Sequence, residues 1–211
     1  MRYLDFYKRL DLMDEKEYIE NFLVYNSSLV IAGVKPAVTI NLKKSNEKMY
    51  IGWNDFGKKF IKNINLKFIE LRENNDCMII MIYDENILEK ELNKKSHIDF
   101  LVNIGYPSQI KIDRYIDTLK FRYNKYHCPH ELGLFLGIPF EDVKDFMECT
   151  TKKCLLCGYW KVYNDSKKAK MIFSTYDTVK EYTINNMLEG SLSRDLALSI
   201  KNSFYKNALY I

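Results

Sequence analysis

Leu66-Lys-Phe-Ile-Glu-Leu-Arg72 and Cys77-Met-Ile-Ile-Met-Ile-Tyr83, joined by Glu73-Asn74-Asn75-Asp76, decide the fold class of this chain. Both runs carry the Ile and Phe side chains that fit a pleated surface, and the four polar residues between them suit a turn. They predict a β-hairpin. Upstream, Ala37–Leu42 alternates as a further short strand. Ahead of it Asp14 predicts the N-cap of a helix carrying Tyr18, Phe22 and Leu29 at helical spacing; Gly33 would close that helix and Pro36 forbids its continuation. A second helix is expected from Asn54 through Phe56, Phe60 and Ile64. After Asp84, another expected N-cap, the pattern is helical up to Cys149, with Pro107, Pro129 and Pro139 marking the breaks. Cys157–Tyr163 has strand character, and Asp165 to the C-terminus reads as two or three helices broken near Thr175–Thr178 and at Gly190. The sum is one α+β domain over residues 1–211. A small mixed sheet of about four strands is covered by many helices; residues 1–95 form a strand-containing half, and residues 96–211 a mainly helical half with the Cys157–Tyr163 strand.

Composition bounds the function without naming it. The 211 residues are 47% hydrophobic and 28% charged, which is globular rather than disordered composition. Lys+Arg 32 against Asp+Glu 28 leaves +4. Residues 1–105 balance at 16 basic and 16 acidic and residues 106–211 hold 16 and 12, so the whole excess is in the second half. That is too little to call a nucleic-acid or membrane partner from charge alone. The N-terminus has charges throughout and no apolar core, and the longest strongly apolar stretch, Met78–Tyr83, is far short of the ~20 residues of a membrane span. A cytoplasmic location is expected.

Three constellations carry chemistry. Four of the five cysteines, Cys128, Cys149, Cys154 and Cys157, fall within residues 128–157. In a reducing compartment that clustering points to metal or redox chemistry before a disulfide framework. Thiolate and imidazole are ligands that zinc prefers, so Cys154, Cys157, Cys128 and His130 are candidates to hold zinc or iron. The same Cys-x-x-Cys spacing suits a dithiol couple, with Lys152 and Lys153 favouring a thiolate at Cys154. Buried structural cysteines are the bland alternative.

The second constellation, Glu131 to Met147, has the spacing of a helix-turn-helix. Gly133 permits a close crossing, Gly137 makes the turn, and Val143 and Phe146 pack the second helix back. Glu141, Asp142, Asp145 and Glu148 against a single Lys144 would repel DNA, so a structural helical hairpin is expected and nucleic-acid binding is disfavoured. The third is a lysine-aromatic run of Lys152, Lys153, Tyr159, Trp160, Lys161, Tyr163, Lys167, Lys168 and Lys170. Only Asp165 opposes six lysines between residues 152 and 170. On a strand Trp160 and Val162 face opposite to Tyr159, Lys161 and Tyr163, so one aromatic set is core. Trp160, Lys161, Lys167 and Lys168 are the binding candidates, for an acidic partner protein or an anionic ligand as readily as for RNA. No P-loop, dinucleotide fingerprint, nucleophile elbow or zinc-protease motif is present, and no nucleophile or acid–base pair can be named.

Two long motifs are familiar: Pro129-His-Glu-Leu-Gly-Leu-Phe-Leu-Gly-Ile-Pro-Phe-Glu-Asp-Val143 and Cys154-Leu-Leu-Cys-Gly-Tyr-Trp-Lys-Val-Tyr163. With Leu29-Val-Ile-Ala-Gly-Val-Lys-Pro-Ala37 and the Gly190-Ser-Leu-Ser-Arg region, the chain resembles the domain of unknown function 3793 family of anaerobic Gram-positive bacteria. His130, Glu131, Cys154, Cys157, Trp160 and Lys161 match that family's pattern. Members often carry a His-Cys-Ala-Pro-type segment where this chain reads Val24-Tyr25-Asn26-Ser27, which leaves Cys154 and Cys157 as the thiol candidates. The family's genes neighbour flavodoxin and iron-acquisition genes. The resemblance thus points toward redox or metal physiology and gives no residue a role. With the Cys-x-x-Cys pair, a thiol- or metal-dependent accessory protein in redox or iron physiology is expected, the alternative being a binding module that holds an acidic, flavodoxin-like partner through the lysine-aromatic strand.

Overall fold

The computed structural model describes residues 2–109, 111–148 and 151–205. The chain is α+β, and its organising element is the predicted hairpin. β2 (Lys67–Glu73) and β3 (Cys77–Tyr83) pair antiparallel, and β1 (Ala37–Lys43) adds to the far edge of β3, giving the order β1-β3-β2. Asn74 builds the turn: its side-chain oxygen accepts from the backbone N–H groups of Asp76 and Cys77 at 2.9 and 2.8 Å. A one-residue bulge falls at Leu71 between Glu70 and Arg72.

β3 is apolar without alternation because helices cover both faces of the sheet. On one face Met78, Ile80 and Ile82 join a core with α1 (Arg2–Asp11), α2 (Glu15–Ile31), α3 (Glu47–Gly52), α4 (Lys58–Asn63), α10 (Ser166–Leu188) and α11 (Ser193–Ile200). On the other, Met81, Tyr83 and Leu71 join α5 (Glu85–Leu92), α6 (Lys95–Asn103), α7 (Ile112–Tyr126), α8 (Leu132–Phe135) and α9 (Phe140–Met147). Each fully buried Ile or Met stabilises the fold by roughly 1.5–3 kcal/mol, so an uncovered face would leave several such side chains in water. The last helices return to pack on α2, so the first face is built from both ends of the chain.

Local sequence sets the helix ends as expected in several places. Asp14 caps α2 by accepting from the Glu17 N–H at 2.8 Å, and Asp84 caps α5 through the Ile87 N–H at 3.1 Å. Four expectations are corrected. The main sheet has three strands and is wholly antiparallel, rather than a mixed sheet of about four. Cys157–Tyr163 is not one strand: β4 (Leu156–Cys157) and β5 (Lys161–Val162) form a separate small hairpin that turns at Gly158-Tyr159-Trp160. Gly158 permits that turn, because a Cβ there would lie 2.3 Å from the Phe173 ring on α10.

The second helix starts at Glu47, not Asn54, because Asn46 caps it through the Met49 N–H at 3.0 Å; a π-helical stretch, Trp53–Gly57, joins α3 to α4. Finally, α10 runs unbroken through Thr175–Thr178. The hydroxyls of Thr175 and Thr178 donate back to the carbonyls of Met171 and Ser174, at 3.1 and 2.9 Å, and so fit the helix. Among the described residues no helix is long and apolar enough to cross a membrane.

Candidate functional site

The helical hairpin and the cysteine-bearing β-hairpin are one structural unit. Asp142, on α9 and buried, aims its carboxylate at the second motif. One oxygen accepts the Trp160 indole N–H at 2.8 Å; the other accepts the backbone N–H groups of Tyr163 and Asn164 and the Asn164 side-chain amide, at 2.9, 3.1 and 2.9 Å. One turn further, Asp145 accepts from Asn164 and from Lys152 at 2.8 and 2.7 Å, and these two donors hold its carboxyl below the usual range. Two of the four acidic side chains at α9, Asp142 and Asp145, thus hold the segments that flank β4 and β5, and Glu141 and Glu148 stay exposed. Trp160 is 8% exposed and packs edge-on against Phe173 with ring centres 4.5 Å apart. It and Val162 are the core set, leaving Tyr159 and Lys161 outside.

The candidate ligands are dispersed over this unit. Cys154 and Cys157 are exposed free thiols on the small hairpin, with Cys154 Sγ donating to the Leu156 carbonyl at 3.3 Å. Cys128 shares a hydrogen bond with the Tyr123 phenol, whose pKa burial pushes up to about 12. His130 stacks edge-on against Phe146, ring centres 5.0 Å apart, and Lys161 lies 5.7 Å from the centre of that same ring. Phe146 therefore does not pack back as expected; it is 40% exposed, between His130 and Lys161. Among the described residues no three His, Cys, Asp or Glu side chains converge where a metal ion could be held. Cys149 lies outside the described residues. Glu131 is buried in an ion pair with Arg122 on α7, with the Tyr106 phenol donating to the same oxygen at 3.3 Å. Lys167 and Lys168 are exposed in the first turn of α10, beside its cap Asp165.

Lys168 also lines a cleft that sequence reasoning did not single out. The cleft holds about 580 Å³ between the Gly33–Pro36 turn, α5, the start of α9 and α10. Gly137 brings the helical hairpin against that turn: its φ is +72°, and a Cβ there would lie 2.6 Å from the Pro36 ring. Lys35 enters from the turn, its ammonium 6.0 Å from the centre of the buried Tyr176 ring, and burial lowers its pKa to about 8. Lys90, Lys94, Lys168 and His97 complete the basic lining, against Glu91 as the one carboxylate among the described residues. That carboxylate is already engaged. Its Oε1 accepts from Lys94 at 2.6 Å and lies 3.4 Å from Nε2 of His97, which is 3% exposed. Burial raises the Glu91 carboxyl, but His97 and Lys94 outweigh it and leave it below the usual range. Among the described residues no carboxylate pairs with Lys35, Lys90 or Lys168. Val34, Pro36, Ile87, Pro139, Phe140, Ile172 and Tyr176 supply apolar wall.

One turn along α10 from Tyr176, Lys180 lies in a second cavity of about 390 Å³ with Tyr25, Tyr159, Asp177 and Asn185. Burial, and the nearby Lys35 charge, lower its pKa to about 7. The sequence held one signal for these positions: Ile172, Tyr176, Lys180 and Ile184 repeat every four residues, so a lysine interrupts an apolar helix stripe.

A family model described as a protein of unknown function (DUF3793) matches residues 23–197. No curated protein and no solved structure matches the chain. The match spans well over half of the sequence and includes Lys35, the helical hairpin, the cysteine hairpin and Lys180, so the chain belongs to the DUF3793 family.

Proposed function

We propose that this protein binds a small organic anion, a carboxylate or phosphate ester with an apolar or aromatic body, in the cleft floored by Lys35. The observation that carries the reading is the unbalanced charge. Lys35, Lys90 and Lys168 line a half-enclosed space in which the one carboxylate among the described lining residues, Glu91, already accepts a hydrogen bond from Lys94. Holding the unpaired Lys35 ammonium out of bulk water is costly, and an anion beside it offsets that cost, with the exposed Lys90 and Lys168 adding attraction. The Tyr176, Phe140 and Ile172 surfaces then select for an apolar body, as in most small-molecule sites.

Thermal melting at fixed ionic strength tests it. Phenyl phosphate and benzoate raise the melting temperature, whereas phenol and inorganic phosphate at equal concentration do little, since each offers half of the recognition. Equal stabilisation by phenol and phenyl phosphate contradicts the reading.

A second reading keeps the thiols. Cys154 and Cys157 are both exposed and unpaired on one hairpin, which supports a metal-binding or redox role in a reducing cytoplasm. Native mass spectrometry of protein purified anaerobically without chelator tests this. A zinc or iron mass excess lost on Cys154→Ser favours it, and a bare reduced chain counts against metal.

A further inference from the structure

We infer, resting on the reading of the Lys35 cleft as an anion site, that its ligand is a 2-hydroxy carboxylate with an apolar or aromatic body, whose hydroxyl is read by Tyr176 and Glu91. Among the described lining residues three bear hydroxyls, Thr175, Tyr176 and Tyr205. The Thr175 hydroxyl donates to the Met171 carbonyl at 3.1 Å, and the Tyr205 phenol donates to Asp84 at 3.2 Å. Tyr176 differs from both. It is 3% exposed and packs edge-on against Tyr159, ring centres 4.9 Å apart, yet no described residue hydrogen-bonds its hydroxyl. That oxygen keeps access to solvent where the residue lines the cleft. A polar group left unpaired on an otherwise enclosed side chain has a place for a partner that a ligand can supply. Burial and the nearby Glu91 charge both raise the pKa of the phenol, so it keeps its proton and acts as a donor.

Glu91 supplies the matching acceptor. Its Oε1 takes the Lys94 ammonium at 2.6 Å, while its Oε2 accepts from no described residue. A hydroxyl meets both needs at once, because it accepts from Tyr176 and donates to Glu91. An ammonium in its place has no lone pair to offer Tyr176, and it meets Lys35, Lys90, Lys94 and Lys168 as like charges. The position of the hydroxyl follows from Lys35. Its Nζ lies 6.0 Å from the centre of the Tyr176 ring, a span bridged by a carboxylate and the hydroxyl on the next carbon with a hydrogen bond at each end.

Calorimetric titration of the full-length protein at pH 7.5 and fixed ionic strength tests the inference. The probes are phenyl phosphate, 3-phenylpropionate, each enantiomer of 3-phenyllactate, and phenylalanine. The better enantiomer of 3-phenyllactate is expected to bind at least ten-fold tighter than 3-phenylpropionate, which leaves Tyr176 and Glu91 unpaired. It is expected to exceed phenylalanine, which carries an ammonium in place of the hydroxyl, by a similar factor. In a normally melting Tyr176→Phe the ratio of 3-phenyllactate to 3-phenylpropionate affinity falls to near one. Equal binding of these two by the wild type, phenylalanine binding as tightly as 3-phenyllactate, or a ratio that survives in Tyr176→Phe overturns the inference. Phenyl phosphate binding would then still leave the anion cleft standing. If no probe binds, the anion cleft itself falls, and this inference with it.

Discussion

The Asp142 carboxylate on α9 accepts the indole N–H of Trp160 at 2.8 Å, joining the two longest sequence motifs of the chain through one buried contact. Its other oxygen takes three further donors from Tyr163 and Asn164. The hairpin that bears Cys154 and Cys157 is thereby fixed between α9 and α10, on the same helix that supplies Tyr176 and Lys180.

Asp142→Ala leaves these donors without their acceptor. A buried donor stripped of its partner costs about 1–3 kcal/mol, and more where the partner was charged. Loss of about 3 kcal/mol is expected, read as a lower urea midpoint at unchanged slope. The near-ultraviolet signal of Trp160 should weaken as well. A loss below 1 kcal/mol would mean that Phe173 packing and the Asp145 contacts to Asn164 and Lys152 hold the hairpin without Asp142.

Gly137→Ala acts on the cleft from outside it. A Cβ at Gly137 meets Pro36, and the φ of +72° disfavours any L side chain. A destabilisation of about 2 kcal/mol is expected, with weakened phenyl phosphate binding because Pro36 follows Lys35 directly. Binding that survives at full strength would show that the Lys35 turn does not depend on this contact.

The pH dependence of stability has a definite sign. Lys180 has a folded pKa of about 7 against an ordinary 10.5. Below about pH 7 it is protonated in both states, and the folded state bears the full cost of the buried charge. Between the two values the unfolded chain binds a proton that the folded chain does not, so stability rises with pH. Lys35, lowered to about 8, adds in the same direction. Tyr83 and Tyr123, raised to about 12, reverse the trend above pH 10. Chemical denaturation between pH 6.5 and 9.5 should therefore show rising stability, flattened in Lys180→Met. Parallel curves for the two proteins would contradict the burial of Lys180.

Much of the fold could be read from local chemistry. The Asn74 turn, the Asp14 and Asp84 caps and the Gly33 stop are decided within a few residues, and all are seen. The Cys157–Tyr163 segment could not be resolved this way. Its alternation of facing residues is the same in one strand as in two short ones, and the contacts that hold the turn, Gly158 against Phe173 on α10 and Trp160 onto Asp142 on α9, come from elements outside the segment. The site was less legible for a related reason. Asp142 reads as one of four surface acids until Trp160 is seen to fold onto it. Nothing in the sequence singles out Lys35, because the cleft around it is closed by α5 and α10, distant in sequence. Lys180 alone left a trace, as a charge in the apolar stripe of Ile172, Tyr176 and Ile184.

The most direct test of the anion cleft is calorimetric titration of phenyl phosphate into the wild-type protein and Lys35→Met at one fixed ionic strength. One site is expected in the wild type and at least ten-fold weaker binding in a normally melting Lys35→Met, about 1.4 kcal/mol. Equal affinity in the two proteins would contradict it.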